Sequence, residues 1–300
     1  MLAGIDRGRG VMRPIFAALL ALVFLNCAQA ATTAPEPKRD ALFVAAENGQ
    51  SAVVQKFLAG GGSVNAADAN KLTLLNWAAY GGSLDLVKLL IAKGADVNAH
   101  ANKEAWTPLM NASATGFALV AGTLLDHGAE LNALSDAGYS PLAFAAEKKR
   151  VDVVRLLLAR GADGGNALVA MVRDKQPDAI KLLIESGVDA NATPRTKEKW
   201  FTPGETALYA AASAHDAALV TLLLDKGANP DIASPTGGNM ATPLMMGAYH
   251  CNSAVIDALI AHNVTRSATN SGGGTAADLA ATGWTNDMKA CAPEITAKLR

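Results

Sequence analysis

The sequence predicts an all-α solenoid of helix-turn-helix units stacked side by side, with hairpin or loop fingers between them. Three observations carry that prediction. Half of the 300 residues are hydrophobic but only 5% are aromatic, a balance that suits close-packed helices better than a β-sandwich. A polar cap residue recurs at Asp40, Thr73, Thr107, Ser140, Asn166, Thr206, Thr242 and Thr275, in steps of 33, 34, 33, 26, 40, 36 and 33 residues. Between caps the chemistry repeats in one order: a short Ala-rich stretch, a break, a Leu/Val-rich stretch, and usually Gly-Ala. A fixed period of this length marks units that bury their apolar faces only by stacking on one another.

Residues 1–30 stand apart. Arg7, Arg9 and Arg13 precede the apolar run Ile15 to Leu25, and Ala28-Gln29-Ala30 forms a small-x-small site. Basic, apolar, small is the order of a secretory signal peptide, and the run falls short of the roughly 20 residues of a spanning helix. An uncleaved anchor, or a lipoprotein through Cys27, are the alternatives. Cleavage is expected after Ala30, with export to a periplasm or beyond. Residues 31–38 read as a disordered lead-in and 291–300 as a C-terminal tail, bracketing a repeat domain of about eight units over 39–290. Cleavage leaves Cys251 and Cys291, and an oxidising compartment is expected to join them. Net charge is −1, so nothing marks a nucleic-acid or anionic-membrane surface.

Within each unit the elements follow from local chemistry. Thr or Ser at the cap accepts a backbone N–H of the first helix. Pro108, Pro141 and Pro243 occupy the first helical position, where no amide partner is lost. The Ala pairs Ala78-Ala79 and Ala145-Ala146 admit a close neighbour. Gly81-Gly82 and Gly116 permit the break, the Leu pairs from Leu89-Leu90 to Leu222-Leu223 fill the core, and Gly94, Gly128, Gly161, Gly187 and Gly227 end the second helix.

This pattern resembles the ankyrin repeat, with its T-P-L-H-x-A-A-x-x-G-H opening and its L-L-x-x-G-A-D-x-N close. The resemblance covers nearly all of 39–290, with a degenerate first unit and a capping last one. It implies a non-catalytic module that binds a protein partner through the concave face and fingers, as adaptor, inhibitor or scaffold. The family's first-helix His is replaced here by Phe43, Asn76, Met110, Ala143, Val169, Tyr209 and Met245, which predicts apolar contact where the family bonds between units.

No nucleophile elbow, phosphate loop or zinc motif appears, so no enzyme, cofactor or metal site is expected. His215, His250 and Cys251 lie near one another in the pattern and are read as loop residues. An immunity-type role against a secreted effector, and protection of a periplasmic redox or haem enzyme, are carried as alternatives. A monomer is expected. The candidate partner-binding residues are the finger aromatics Trp106 and Tyr139, the first-helix ends Tyr80, Tyr249, His250, Glu147 and Lys148, and Trp200 and Phe201 of a long insertion at 193–203. Tyr80 is left between packing and recognition, and Trp77 is read as partly buried core. The fifth unit has almost no finger while the next join is seven residues longer. The insertion therefore either contacts a partner or packs back on the fifth unit.

Overall fold

A computed structural model describes residues 40–101, 105–195, 201–236, 239–282 and 290–300. The proposed signal peptide and lead-in lie outside them. From Asp40 to Arg300 the chain forms one compact unit of paired helices. In order these are α1 (Ala41–Glu47) and α2 (Ser51–Ala59), α3 (Leu74–Gly81) and α4 (Leu84–Ala92), α5 (Pro108–Thr115) and α6 (Ala118–Asp126), and α7 (Pro141–Glu147) and α8 (Val151–Ala159). Then come α9 (Gly164–Arg173) and α10 (Pro177–Glu185), α11 (Ala207–Ser213) and α12 (Ala217–Asp225), α13 (Pro243–Tyr249) and α14 (Ser253–Ala261), and α15 (Ala276–Thr282) and α16 (Pro293–Leu299). The first helices form a continuous row, each touching the next, and each second helix packs on its own first. One finger is a two-stranded antiparallel hairpin, β1 (Ser234–Thr236) with β2 (Asn239–Ala241). Residues 291–300, set apart in sequence as a tail, contribute α16, whose Leu299 is buried.

Helices of seven to ten residues are too short to stand alone in water, so caps and neighbours hold them. The Thr73 side chain accepts the Asn76 N–H, and Thr107, Ser140, Thr206 and Thr242 do the same for Met110, Ala143, Tyr209 and Met245. Thr275 and Asp278 cap α15 reciprocally. The fifth unit departs from expectation. Asn166 stands where the pattern places a cap, but α9 begins a turn earlier and Asp163 caps it, accepting the Asn166 N–H at 3.2 Å. With no finger to form, the chain passes straight from Gly-Ala-Asp into helix.

The apolar interior runs the length of the stack. Leu74, Leu75, Leu86, Leu90, Leu109, Leu124, Leu142, Leu157, Leu168 and Ile180 are fully buried. Close approach is enforced at Gly81, where a Cβ would come within 1.7 Å of the Glu47 carbonyl oxygen on the preceding first helix. At the break between helices, Gly82 and Gly116 give way in later units to Lys149, Lys175, His215 and Cys251, all left-handed at φ 50° to 59°. For an L-residue that conformation costs roughly 1–2 kcal/mol.

A second tie between units lies at the Asn that closes the motif. Asn65 Oδ1 accepts the Asp96 N–H, Asn98 Oδ1 that of Glu130, Asn132 Oδ1 that of Asp163, and Asn191 Oδ1 that of Asn229, each at 2.7–2.8 Å. Asp231 continues the series, accepting from the Thr265 backbone N–H and hydroxyl. Gly165 falls at this position in the fourth step and has no side chain to offer. There the loop that follows α10 reaches back instead: the Arg195 N–H donates to Asp163 Oδ2 at 2.9 Å, and a Cβ on Gly165 would meet the Thr193 carbonyl at 2.3 Å.

Candidate concave binding surface

In several units one residue of the first helix stands just before its small pair. In units two, three and four these residues are Trp77, Asn111 and Phe144. Trp106, in the finger before Thr107, lays its ring 4.4 Å from Phe144 of the next unit, and Tyr139, in the following finger, lies 5.1 Å from the same ring. Two fingers and one helix thus converge on Phe144, which is buried beneath the half-buried Trp106 and Tyr139. Ala105 holds φ at 49° immediately before Trp106, which turns the chain there.

The polar groups around this cluster satisfy one another. The Tyr139 hydroxyl donates to the Asp174 carboxylate of the fifth unit. Burial first, then the negative charge and hydrogen bond of Asp174 and the charge of Glu147, push the phenol far above its usual range, so it stays protonated. Glu147 and Lys148 pair at 3.0 Å, and Arg173 pairs with Glu205 at 2.7 Å. Burial raises the Glu205 carboxyl above its ordinary value; Arg173 and the Thr202 backbone N–H oppose the shift without overcoming it.

The structure distributes the candidate residues unevenly. Trp106, Tyr139, Glu147 and Lys148 come together in one patch over units three to five. Tyr80 sits half-buried against Trp77, ring centroids 5.9 Å apart, and the Trp77 indole N–H donates to Asp68 of its own finger at 3.2 Å. Tyr249 and His250 form a separate group with His215: the imidazoles lie 4.1 Å apart and Tyr249 is 4.6 Å from His250. Phe201 is a correction. Its ring is 6% exposed, with the Arg173 guanidinium 5.5 Å from the ring centroid. Thr193 to Arg195 lie back against Asp163 and Gly165, and Phe201 is turned inward, so it is not an exposed contact. Trp200 lies outside the described residues. Phe144, Asp174 and Arg173 complete the patch. Phe144 was missed as a site residue, though it occupies the same register as Trp77.

Cys251 and Cys291 are joined, with Cα atoms 5.4 Å apart. Cys251 therefore has no thiolate to offer a metal beside His215 and His250. Among the described residues no group of three or more His, Cys, Asp or Glu side chains could hold a metal ion, and no helix is long and apolar enough to cross a membrane.

The bond between first helices is also recovered in part. Asn76 accepts the Thr73 N–H through Oδ1 at 3.0 Å and donates through Nδ2 to the Trp106 carbonyl at 3.3 Å. Its carboxamide thus does in one unit what the resemblance assigns to His. At Met110 and Met245 a thioether takes the cap N–H at 3.5 Å, which leaves no donor for the next unit.

A family model of ankyrin repeats matches three copies, at residues 16–101, 98–167 and 160–234. The chain belongs to the ankyrin-repeat family. Among curated proteins this ankyrin-repeat chain is 28% identical over 202 residues to "Ankyrin repeat protein nuc-2" of Neurospora crassa, covering 65% of the chain and 18% of that protein. It is 31% identical over 247 residues to "Ankyrin repeat and KH domain-containing protein mask-1" of Caenorhabditis elegans, covering 76% and 8%. It is 26% identical over 185 residues to "Putative palmitoyltransferase ZDHHC13" of Danio rerio, covering 59% and 28%. The chain thus spans less than a third of the length of these relatives. Ankyrin repeats generally mediate protein–protein interactions and are typically non-catalytic, although relatives include proteins named as enzymes.

Proposed function

We propose that this ankyrin-repeat protein is a non-catalytic, exported binding module that holds a protein partner on its concave face, as adaptor, inhibitor or scaffold. The observation that carries the reading is the gathering of Trp106, Tyr139 and Phe144 from two fingers and one helix into a half-exposed patch. Stacking alone requires small residues on the row of first helices, and aromatic residues are the usual energetic centres of interfaces. Export is supported by the basic, apolar and small-residue order of residues 1–30 and by the disulfide, which persists in oxidising compartments.

The test is photo-crosslinking in a periplasmic extract, with a photoreactive residue introduced at Tyr80 or Tyr249 of the full chain, followed by mass spectrometry. A specific partner is expected whose capture drops in Trp106→Ala and Tyr139→Ala. Capture unaffected by either substitution, with both variants folded, would remove this face as the binding surface.

A further inference from the structure

Around the aromatic patch the cations are already engaged. Lys148 pairs with Glu147, Arg173 with Glu205 and Lys175 with Asp216. Asp174 stands between Arg173 and Lys175 in the chain, is exposed, and pairs with none of them. Among the described residues its side chain meets only the neutral Tyr139 hydroxyl, through Oδ2. An ionised carboxylate accepts at both oxygens, so Oδ1 is left for another donor and the charge is left without a counter-charge. Beside it lie the half-buried Trp106 and Tyr139, both resting on Phe144. Ring faces with a carboxylate at their edge suit a guanidinium, which stacks on aromatic faces and presents a planar fork of donors. The protein builds that combination from its own residues one finger on. There the Arg173 guanidinium lies 5.5 Å from the Phe201 ring centroid and donates to Glu205 at 2.7 Å. At Tyr139 and Asp174 the ring and the carboxylate stand together with no arginine of the described chain between them.

We propose that Asp174 and the Trp106–Tyr139 surface receive an arginine side chain of the protein partner. The guanidinium donates to Asp174 Oδ1 and lies against the rings, as Arg173 does with Glu205 and Phe201. The Tyr139 hydroxyl keeps its bond to Oδ2 and holds the carboxylate in place for the incoming fork. Charge-assisted hydrogen bonds of this kind are stronger than neutral ones. An acidic or uncharged side chain would leave the Asp174 charge unmatched, and a lysine ammonium, more strongly hydrated and without a planar face, fits the rings less well. This inference rests on the reading of the concave face as the binding surface.

The probe is a displayed library of random dodecapeptides panned on the full chain. Enriched peptides are expected to share an arginine. Binding of a synthetic representative should weaken about tenfold when that arginine is replaced by citrulline, its neutral isostere, and less when it is replaced by lysine. Asp174→Asn should weaken the arginine peptide similarly, and on that variant the citrulline exchange should cost clearly less than on the native chain. Asp174→Lys should abolish binding. The peptide exchanges need no change in the protein, and unfolding midpoints of both Asp174 variants guard against a general loss of structure. Failure to enrich any peptide, enrichment of peptides without arginine, or arginine peptides indifferent to both Asp174 variants overturns the inference. Peptides sensitive to Trp106→Ala but not to Asp174 overturn the arginine pairing and leave the face standing. Peptides indifferent to Trp106→Ala and to Asp174 alike remove the face itself.

Discussion

Removing the Cys251–Cys291 bond with the double substitution Cys251→Ser/Cys291→Ser isolates what holds the end of the stack. The cysteines are 40 residues apart, and closing a ring of that size in the unfolded chain is worth about 4 kcal/mol by chain entropy. Other restraints on α16 survive. Leu299 stays buried, Lys298 bonds Asp257 at 2.7 Å and Ser253 at 2.9 Å, and the Cys291 backbone N–H donates to the Ala280 carbonyl at 2.7 Å. The exposed Lys298–Asp257 pair contributes at most about 1 kcal/mol. The expected loss is therefore about 2–4 kcal/mol, concentrated in the last two units because each unit contacts only its neighbours. Urea unfolding with and without a dithiol reductant reads the total, and hydrogen exchange locates it. Amides of α14 to α16 should exchange faster while those of α3 to α8 hold. If verified reduction leaves both the midpoint and the exchange of residues 253–299 unchanged, the C-terminal cap is held by packing alone and the reasoning fails.

Four more outcomes follow from the same contacts. Asn76→Ala removes both the cap acceptor and the bond to the Trp106 carbonyl, and should cost about 1–3 kcal/mol in chemical unfolding; a change below about 0.3 kcal/mol would contradict the tie. Trp106→Ala and Tyr139→Ala should each lower stability as well as binding, because both rings pack on Phe144; pairs of this kind contribute about 0.5–1.5 kcal/mol beyond burial. Gly81→Ala should destabilise by at least about 2 kcal/mol by driving a methyl into the Glu47 carbonyl, and an unchanged melting temperature would mean the first two units are not so close. His262 is held above its ordinary 6.5 by its bond to the Ala258 carbonyl and then by Asp225. Its stabilising contribution is thus complete below the unfolded pKa and lost as pH rises through the folded one. Thermal scans should show the native chain's advantage over His262→Gln shrinking as pH rises from about 6 toward about 8.

The repeat was legible because its determinants are local. A Thr cap, a Pro at the first helical position and a Gly at the second helix end act within a few residues of themselves. The Asn ties were visible as a periodic letter, but their role was not, since each partner lies about one period away. Phe144 was missed for a similar reason. It shares a register with Trp77, yet its importance arises from two fingers that converge on it from different places in the chain. The fifth unit's extra helical turn follows from a missing finger, and Asp163 outcompeted Asn166 as cap by standing directly before the helix. Phe201 was named as a partner contact while the insertion was left between partner and fifth unit, because composition does not say which way an insertion folds. Once Thr193 to Arg195 lie back over Gly165, the ring is carried under Arg173.

The absent rung at Gly165 makes the junction between the fourth and fifth units unlike every other one in the Asn series. Elsewhere the residue that closes the motif staples its own loop to the next; here the chain comes back from beyond α10, and its Arg195 N–H meets the Asp163 carboxylate two residues before Gly165. A stack whose cooperativity passes from neighbour to neighbour parts most readily where the regular link is missing and another residue stands in for it. Stretched between its ends, the protein should yield in two stages, with a seam dividing four units from four, and each block should be the natural boundary for a truncated or recombined chain.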